Sequence, residues 1–427
     1  MNALDILQER GFIYQTTDIE RLRARLEQGP VAFYVGFDPT GSSLHIGHLL
    51  PVMAMRWLQQ AGHRPIAIVG GGTAMVGDPS GKTEARQLLT TDEIDANASA
   101  LQGQLARFLD FGDGKARLVN NADWLRNLKY LEFLRDVGRH FSVNQMLAAE
   151  SVKQRLETGL SFLEFNYMLL QAYDFYVLYR DYDCEMQFGG QDQWGNIVAG
   201  TGLVRKMLGK EAYAATFPLL LKSDGQKFGK TASGAVWLDP QRTTPYHYYQ
   251  FWRNVDDAEV ARLMGFFTAL PMDEVRRLAA PGQDAKDMNR AKEILAYEAT
   301  CLAHGADEAR KAYLAAGTEF GFADADAAIA TSSAVREIKA ADAVAELPTT
   351  VVPRAEAAAG VWICKLFVDS GLCASNGEAR RLIKGGGCYL GEERVTDEKK
   401  TVTLAEFASG QLLLRAGKKN IRRLVVG

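Results

Sequence analysis

Short apolar runs alternating with longer stretches of helical spacing dominate the first half of the chain. Val31 to Phe37, Pro65 to Val69, Ala116 to Val119 and Glu185 to Phe188 have the length of buried strands, and the segments between them repeat apolar residues at intervals of three and four. This alternation predicts an α/β fold, a doubly wound parallel sheet of Rossmann-like form, over residues 1–240. Such a sheet binds ligands beyond the carboxyl ends of its strands. Three loops then face the candidate site: Asp38 to His48, Gly70 to Asp78 and Gly189 to Asp192. From Pro245 to about Gly317 the helical spacing continues without strand signals, which predicts a small all-α domain over 241–317. Residues 318–355, rich in Ala, Asp and Thr with Pro348 and Pro353, read as a linker, and order resumes in an α+β module over 356–427.

A chain of 427 residues is long for one core, in line with several domains. No stretch reaches the length of a membrane span, and the start carries no basic segment ahead of an apolar core, so a cytoplasmic protein with no membrane partner is expected. The five cysteines form no Cys-x-x-Cys pair, which argues against a zinc knuckle and a disulfide framework. The net charge of −3 hides an asymmetry: from Val361 onward six Lys and six Arg face two Asp and five Glu, a net of +5, leaving −8 on the rest. A basic module therefore rides on an acidic body.

Two segments carry the most chemistry. His45-Ile46-Gly47-His48 follows the first strand and the turn Asp38-Pro39-Thr40-Gly41-Ser42-Ser43, and opens a helical pattern. A helix start offers unpaired N–H groups and a positive dipole end, and two imidazoles one turn apart add donors for an anion. Gly47 admits a ligand close to the backbone. Far downstream, Lys227-Phe228-Gly229-Lys230-Thr231 follows an apolar run and a turn at Ser223-Asp224-Gly225, which suits ammonium groups that meet charge developing on a leaving group. Gly81-Lys82-Thr83 ends like a P-loop, but Val76 stands where the first glycine is required. Lys82 and Arg86 are then either surface charges or residues of a loop that closes over pyrophosphate. Asp192, in Gly189-Gly190-Gln191-Asp192-Gln193, is either a ribose acceptor or a helix cap. Tyr167, Gln171 and Asp174 share one helix face, as a core network or as the wall of a polar pocket.

His45 to His48 and Lys227 to Thr231, in that order, resemble the HIGH and KMSKS signatures of class I aminoacyl-tRNA synthetases. With Tyr34 to Thr40, Gly77-Asp78-Pro79-Ser80, Phe141 to Met146, Tyr167, Gln171, Asp174 and Gly189 to Asn196, the whole chain resembles the bacterial tyrosyl-tRNA synthetases. The resemblance implies that tyrosine is activated by ATP, with Mg²⁺ travelling on the nucleotide, and then passed to the 3′ adenosine of tyrosine tRNA by a homodimer. It places Tyr34 and Asp174 on the phenol, Asp78, Tyr167 and Gln171 on the ammonium, and Asp38, Thr40, Gly47, Asp192 and Gln193 on ATP. His45 and His48 fall to the ATP phosphates, and Lys82, Arg86, Lys227, Lys230 and Thr231 to the departing pyrophosphate. The C-terminal stretch resembles an RNA-binding domain shared with a small-subunit ribosomal protein, with Arg380, Arg381 and Lys384 on a helical face suited to phosphates. Val35 and Gln191 depart from the common Cys and Ser of the family.

Three other readings fit the residues less well. A tryptophanyl enzyme would have no use for Tyr34 and Asp174 around a hydroxyl. An RNA-binding cofactor with an idle active site would not need the two signatures, and a small nucleotidyltransferase would not need the C-terminal module.

Overall fold

The protein is described by a computed structural model over residues 2–80, 89–157, 159–221, 225, 228–231, 234–342, 349–391, 393–407, 410–417 and 420–427. Six strands, β1 (Gln15–Thr16), β2 (Ala32–Phe37), β3 (Arg64–Val69), β4 (Arg117–Asn120), β5 (Cys184–Gly190) and β6 (Tyr213–Phe217), form one sheet in the order β1-β6-β5-β2-β3-β4. All neighbours are parallel except the edge pair β1 and β6. Five of the six residues of β2 are buried, as a central strand covered on both faces requires. From β2 the chain builds outward through β3 and β4, then returns to the far side of β2 for β5 and β6. The order reverses between β2 and β5, and a crevice opens there beyond the carboxyl ends. Strand β6 was not anticipated: Ala214 and Ala215 break the β-branched pattern by which a strand is recognised.

The helix Ile46–Gln60 starts at the crevice and packs its apolar side, Leu49, Leu50, Met53 and Leu58 among others, into the core. Pro51 lies inside it, so the Gly47 carbonyl has no N–H partner one turn on. The helices Pro245–Arg253, Asp257–Phe267 and Ala285–His304 belong with the sheet in contact terms. One reason is Arg10, buried at the end of the first helix, which donates to the carbonyls of Gly265 (3.0 Å), Thr268 (3.1 Å) and Leu270 (2.7 Å) and closes the exposed end of the second of these helices.

Contact density divides the chain once, into Met1–Ala309 and Arg310–Gly427, rather than at 240, 317 and 355. In the second unit, β9 (Thr349–Val352) runs parallel to β15 (Asn420–Val426), so the stretch read as a linker over 318–355 ends in a strand of the C-terminal sheet. That sheet comprises β9, β11 (Cys388–Leu390), β12 (Glu393–Arg394), β14 (Gln411–Ala416) and β15, in the order β12-β11-β14-β15-β9. Its core holds Ile363, Phe367, Ala379, Ile383, Leu414 and Leu424. Thr349, Thr350 and Val351 leave β9 largely unburied, which is why its composition resembled a linker. Among the described residues no helix is long and apolar enough to cross a membrane.

Candidate active site

A cavity of about 620 Å³ occupies the crevice, lined from β2 by Tyr34, Val35 and Asp38, from the loop after β3 by Thr73 and Asp78, and from the end of β5 by Gly189, Asp192 and Gln193. Thr40, His45, Gly47 and His48 line it from the start of the Ile46–Gln60 helix, and Tyr167, Gln171 and Asp174 from the helix Tyr167–Tyr182. Val35, one departure from the family pattern, also faces it, whereas Gln191 is not among its lining residues.

The two histidines cap their own helix. The Gly47 N–H donates to His45 Nδ1 (3.0 Å), and the His45 N–H to His48 Nδ1 (3.2 Å). A ring nitrogen that accepts an N–H carries no proton, so both neutral imidazoles bear theirs on Nε2, the tautomer that can donate to an anion. Their rings stack with centroids 4.0 Å apart. Gly47 has to be glycine: a Cβ there would come within 2.8 Å of the His45 ring. Of the downstream signature, Lys227 lies outside the described residues, as do Lys82 and Arg86. Lys230 and Thr231 form β7 (Lys230–Thr231), paired with β8 (Gly234–Ala235). The aromatic ring of Phe228 is buried against Phe251 (5.1 Å) and Trp252 (5.7 Å), which anchors this segment on the helix Pro245–Arg253. Gly229, at φ +83°, passes so close to Ile46 that a Cβ would sit 3.3 Å from that side chain.

The floor is built around buried charge. Asp174 accepts from Asn121 Nδ2 (2.9 Å) and Trp124 Nε1 (2.7 Å), one donor for each oxygen. Burial, opposed by these bonds and reinforced by the charge of Asp38, raises its pKa to about 7. Asp78 accepts from the Ser80 N–H (2.9 Å) and from Gln193 Nε2 (2.7 Å), and burial followed by the charge of Asp38 raises it to about 6. Tyr34 is 1% exposed, rests edge-on against Phe175 (5.3 Å), and its hydroxyl has no hydrogen-bond partner among the described residues. Burial and the charge of Asp174 push it well above the ordinary tyrosine value, so it stays a neutral donor. Gln171 Oε1 is likewise buried without a partner among the described residues. Unmet polar groups of this kind are costly unless a ligand satisfies them.

Asn121 and Trp124 escaped the sequence reading. Asn121 also accepts the Gly72 N–H (2.7 Å) and donates to Thr73 Oγ1 (3.0 Å), tying the loop after β3 to the floor. Its position one residue past β4 was the available signal, since the other site loops also follow strand ends. In the second unit, Arg380, Arg381 and Lys384 are exposed on the helix Asn376–Lys384. Arg380 lies over the Trp362 ring (5.0 Å), and Lys384 pairs with Glu398 (3.1 Å).

A largely parallel sheet with a crevice at its switch point, lined by two helix-capping imidazoles and by Phe228 and Gly229 of the second signature, is the catalytic body of a class I aminoacyl-tRNA synthetase. Residues 26–321 match the family of tRNA synthetases class I (W and Y), and residues 340–423 the Tyrosine--tRNA ligase SYY-like C-terminal domain. The chain is 52% identical over 428 residues to the Tyrosine--tRNA ligase of Desulfatibacillum aliphaticivorans and 51% identical over 425 to that of Clostridium tetani, in each case over 100% of this chain and 99% of the relative. A C-terminally truncated mitochondrial tyrosyl-tRNA synthetase of Aspergillus nidulans superposes with a TM-score of 0.66 at 31% identity, covering 73% of this chain and 92% of its own. The chain belongs to the tyrosine–tRNA ligase family.

The floor makes stability depend on pH. A carboxyl whose folded pKa is raised contributes stability in full below its ordinary value of 3.8 and loses it as pH climbs through about 7. The unfolding free energy of the unliganded protein minus that of Asp174→Asn is therefore expected to fall by up to about 1.4 kcal/mol per pH unit over that window, and to level off above it. Urea unfolding of both proteins at several pH values measures this; a flat difference would mean that Asp174 is ionised throughout.

Proposed function

We propose that tyrosine lies in this cavity with its phenol at Tyr34 and Asp174 and its ammonium at Asp78, Tyr167 and Gln171. The observation that carries the reading is the pair of buried groups at the phenol end: a Tyr34 hydroxyl with no partner among the described residues, beside a carboxylate fixed by Asn121 and Trp124. A hydroxyl on the substrate meets both, and a substrate without one leaves both unmet. At the other end, Asp78 and the Gln171 carbonyl are acceptors for an ammonium, whose charge also offsets that of Asp38.

The activity is that of the family: tyrosine and ATP give tyrosyl-adenylate and pyrophosphate, and tyrosine is then transferred to tRNA. The tyrosine carboxylate is ionised at neutral pH and needs no general base to attack the α-phosphorus. Catalysis then depends on alignment and on stabilising charge as the bond to pyrophosphate breaks. His45 and His48 donate from Nε2 to the phosphates, Asp192 accepts from the ribose, and Asp38, Thr40, Gly47 and Gln193 border the nucleotide. Lys82, Arg86, Lys227, Lys230 and Thr231 take the departing pyrophosphate, a reading that rests on the resemblance of their segments. Mg²⁺ arrives on the ATP phosphates and neutralises their charge; Asp78 and Asp174 already accept two hydrogen bonds each and do not form a cage for it.

The exposed Arg380, Arg381 and Lys384 bind tRNA phosphates at the 3′ adenosine's own molecule, tyrosine tRNA, in the cytoplasm. The enzyme is a homodimer whose contact includes the segment 130–163. Among the described residues, eight of the fourteen exposed large apolar side chains fall there, including Leu131 (78% exposed) and Phe162 (70%). A second copy of the chain is the occupant that gives such a patch a self-complementary cover.

Three outcomes check these assignments. Pyrophosphate exchange should respond to tyrosine and not to tryptophan or phenylalanine, and Tyr34→Phe should narrow the preference for tyrosine over phenylalanine by about tenfold, the worth of one hydrogen bond; an unchanged preference removes Tyr34 from the phenol site. A chain lacking residues 340–427 should form adenylate at a near-normal rate while its affinity for tRNA drops by about a hundredfold at low salt. Charging by that shortened chain at the full rate would move the tRNA site elsewhere. Leu131→Asp with Phe162→Asp should convert a dimer into a monomer in sedimentation; a dimer that survives both changes rules out this face.

A further inference from the structure

Trp237 stands between the two signatures. The segment Val236–Leu238 runs antiparallel to 44–46: the Ile46 N–H donates to the Val236 carbonyl (3.1 Å), and the Leu238 N–H to the Leu44 carbonyl (2.9 Å), with His45 and Trp237 as bridge partners. On its other side the Val236 N–H donates to the Gly229 carbonyl (2.9 Å). Val236 is thus bonded both to the start of the imidazole-bearing helix and to the downstream basic signature, and Leu238 adds a second bond to the first of these, with Trp237 between them.

The side chains continue the connection. The Trp237 ring meets the His45 ring nearly edge-on (5.9 Å, 61°), and His45 stacks on His48 (4.0 Å, 22°). The guanidinium of Arg242 lies 3.3 Å from the centre of the indole. The turn that carries it is fixed by the Trp237 N–H, which donates to Thr243 Oγ1 (3.0 Å). Trp237 is also a wall common to the nucleotide cavity and to a second cavity of about 690 Å³ on the side of the helix Pro245–Arg253. A ring held by a stacked cation on one side and by backbone bonds at its root has little freedom to tilt. The imidazole it touches inherits that restraint. The Nδ1–Gly47 bond and the stack on His48 tie the ring to its own helix, and the indole adds a restraint from a separate segment.

We propose that Trp237, clamped by Arg242, is a positioning residue for adenylate formation, holding the His45 imidazole at the angle from which Nε2 reaches the ATP phosphates and tying that imidazole to the Gly229 segment. The proposal rests on the reading of His45 as a phosphate donor. It assigns neither Trp237 nor Arg242 a contact with the reacting atoms.

The test is single-turnover adenylate formation by the full chain, with tyrosine and ATP affinities measured alongside. Trp237→Leu should slow the adenylation step by about ten- to a hundredfold, the scale of a misplaced contact, and leave tyrosine affinity within about twofold. Trp237→Phe, which keeps a ring against His45, should recover most of the rate. Arg242→Leu, at an exposed position, should lose a smaller part of it and keeps the test usable if Trp237→Leu does not fold. The double variant Trp237→Leu with His45→Ala should be no slower than His45→Ala alone, because removing the imidazole removes what the indole positions. Additive losses in the double variant, with His45→Ala itself slow, would overturn this proposal and leave the role of His45 standing. Wild-type adenylation in His45→Ala would overturn both. Wild-type adenylation in both Trp237→Leu and Arg242→Leu would overturn the positioning role alone.

Discussion

Burying a carboxylate in a cavity floor is expensive, and the site is organised around meeting that requirement at Asp174. Both of its oxygens are taken by donors from the segment after β4, a strand that itself contributes nothing to the cavity wall. Because Asn121 uses its amide nitrogen on Asp174 and Thr73 and its oxygen on the Gly72 N–H, the loop after β3 is set by the same residue that steadies the floor. The neighbouring Asp38 adds negative charge beside Asp78 and Asp174 and makes the floor of the cavity, as distinct from its histidine-lined end, a poor place for an anion but a good one for an ammonium. Recognition at one end of the cavity and attraction at the other therefore come from one arrangement of charge.

The histidine end of the cavity is ordered differently. There the backbone supplies the order: two imidazoles accept main-chain N–H groups and are thereby left with the proton on the nitrogen that faces outward. The glycine between them permits the first ring to fold over the helix start. Helix capping and tautomer choice are the same event.

Much of this was legible in the sequence because it is written in contiguous stretches. Strand followed by glycine-rich turn followed by helix is a local pattern, and the parallel sheet, the three site loops and the capping histidines follow from it. The shared face of Tyr167, Gln171 and Asp174 was legible from spacing alone, since a helix converts spacing into direction. Asn121, Trp124 and Trp237 were not, because each acts on a residue that only tertiary folding brings near: Asn121 and Asp174 are 53 positions apart, and Trp237 meets His45 across most of the catalytic body. The attachment of the later helices to the sheet was illegible for a related reason. Arg10 binds carbonyls some 255 to 260 positions downstream, which no composition window can register.

The placement of β9 bears on how the C-terminal module comes to exist at all. Arg423 lies opposite Thr349, 74 positions earlier, and nearly every other element of that sheet falls between the two in sequence. Pairing across so long a loop costs chain entropy before any contact repays it and makes such topologies slow to assemble. The hairpin of β14 and β15, by contrast, pairs Ala416 with Asn420, only four positions apart. Of the pairings in that sheet, the one between β9 and β15 therefore carries the largest loop-closure cost, and the edge of β15 that β9 covers is open to other strands whenever that pairing is undone.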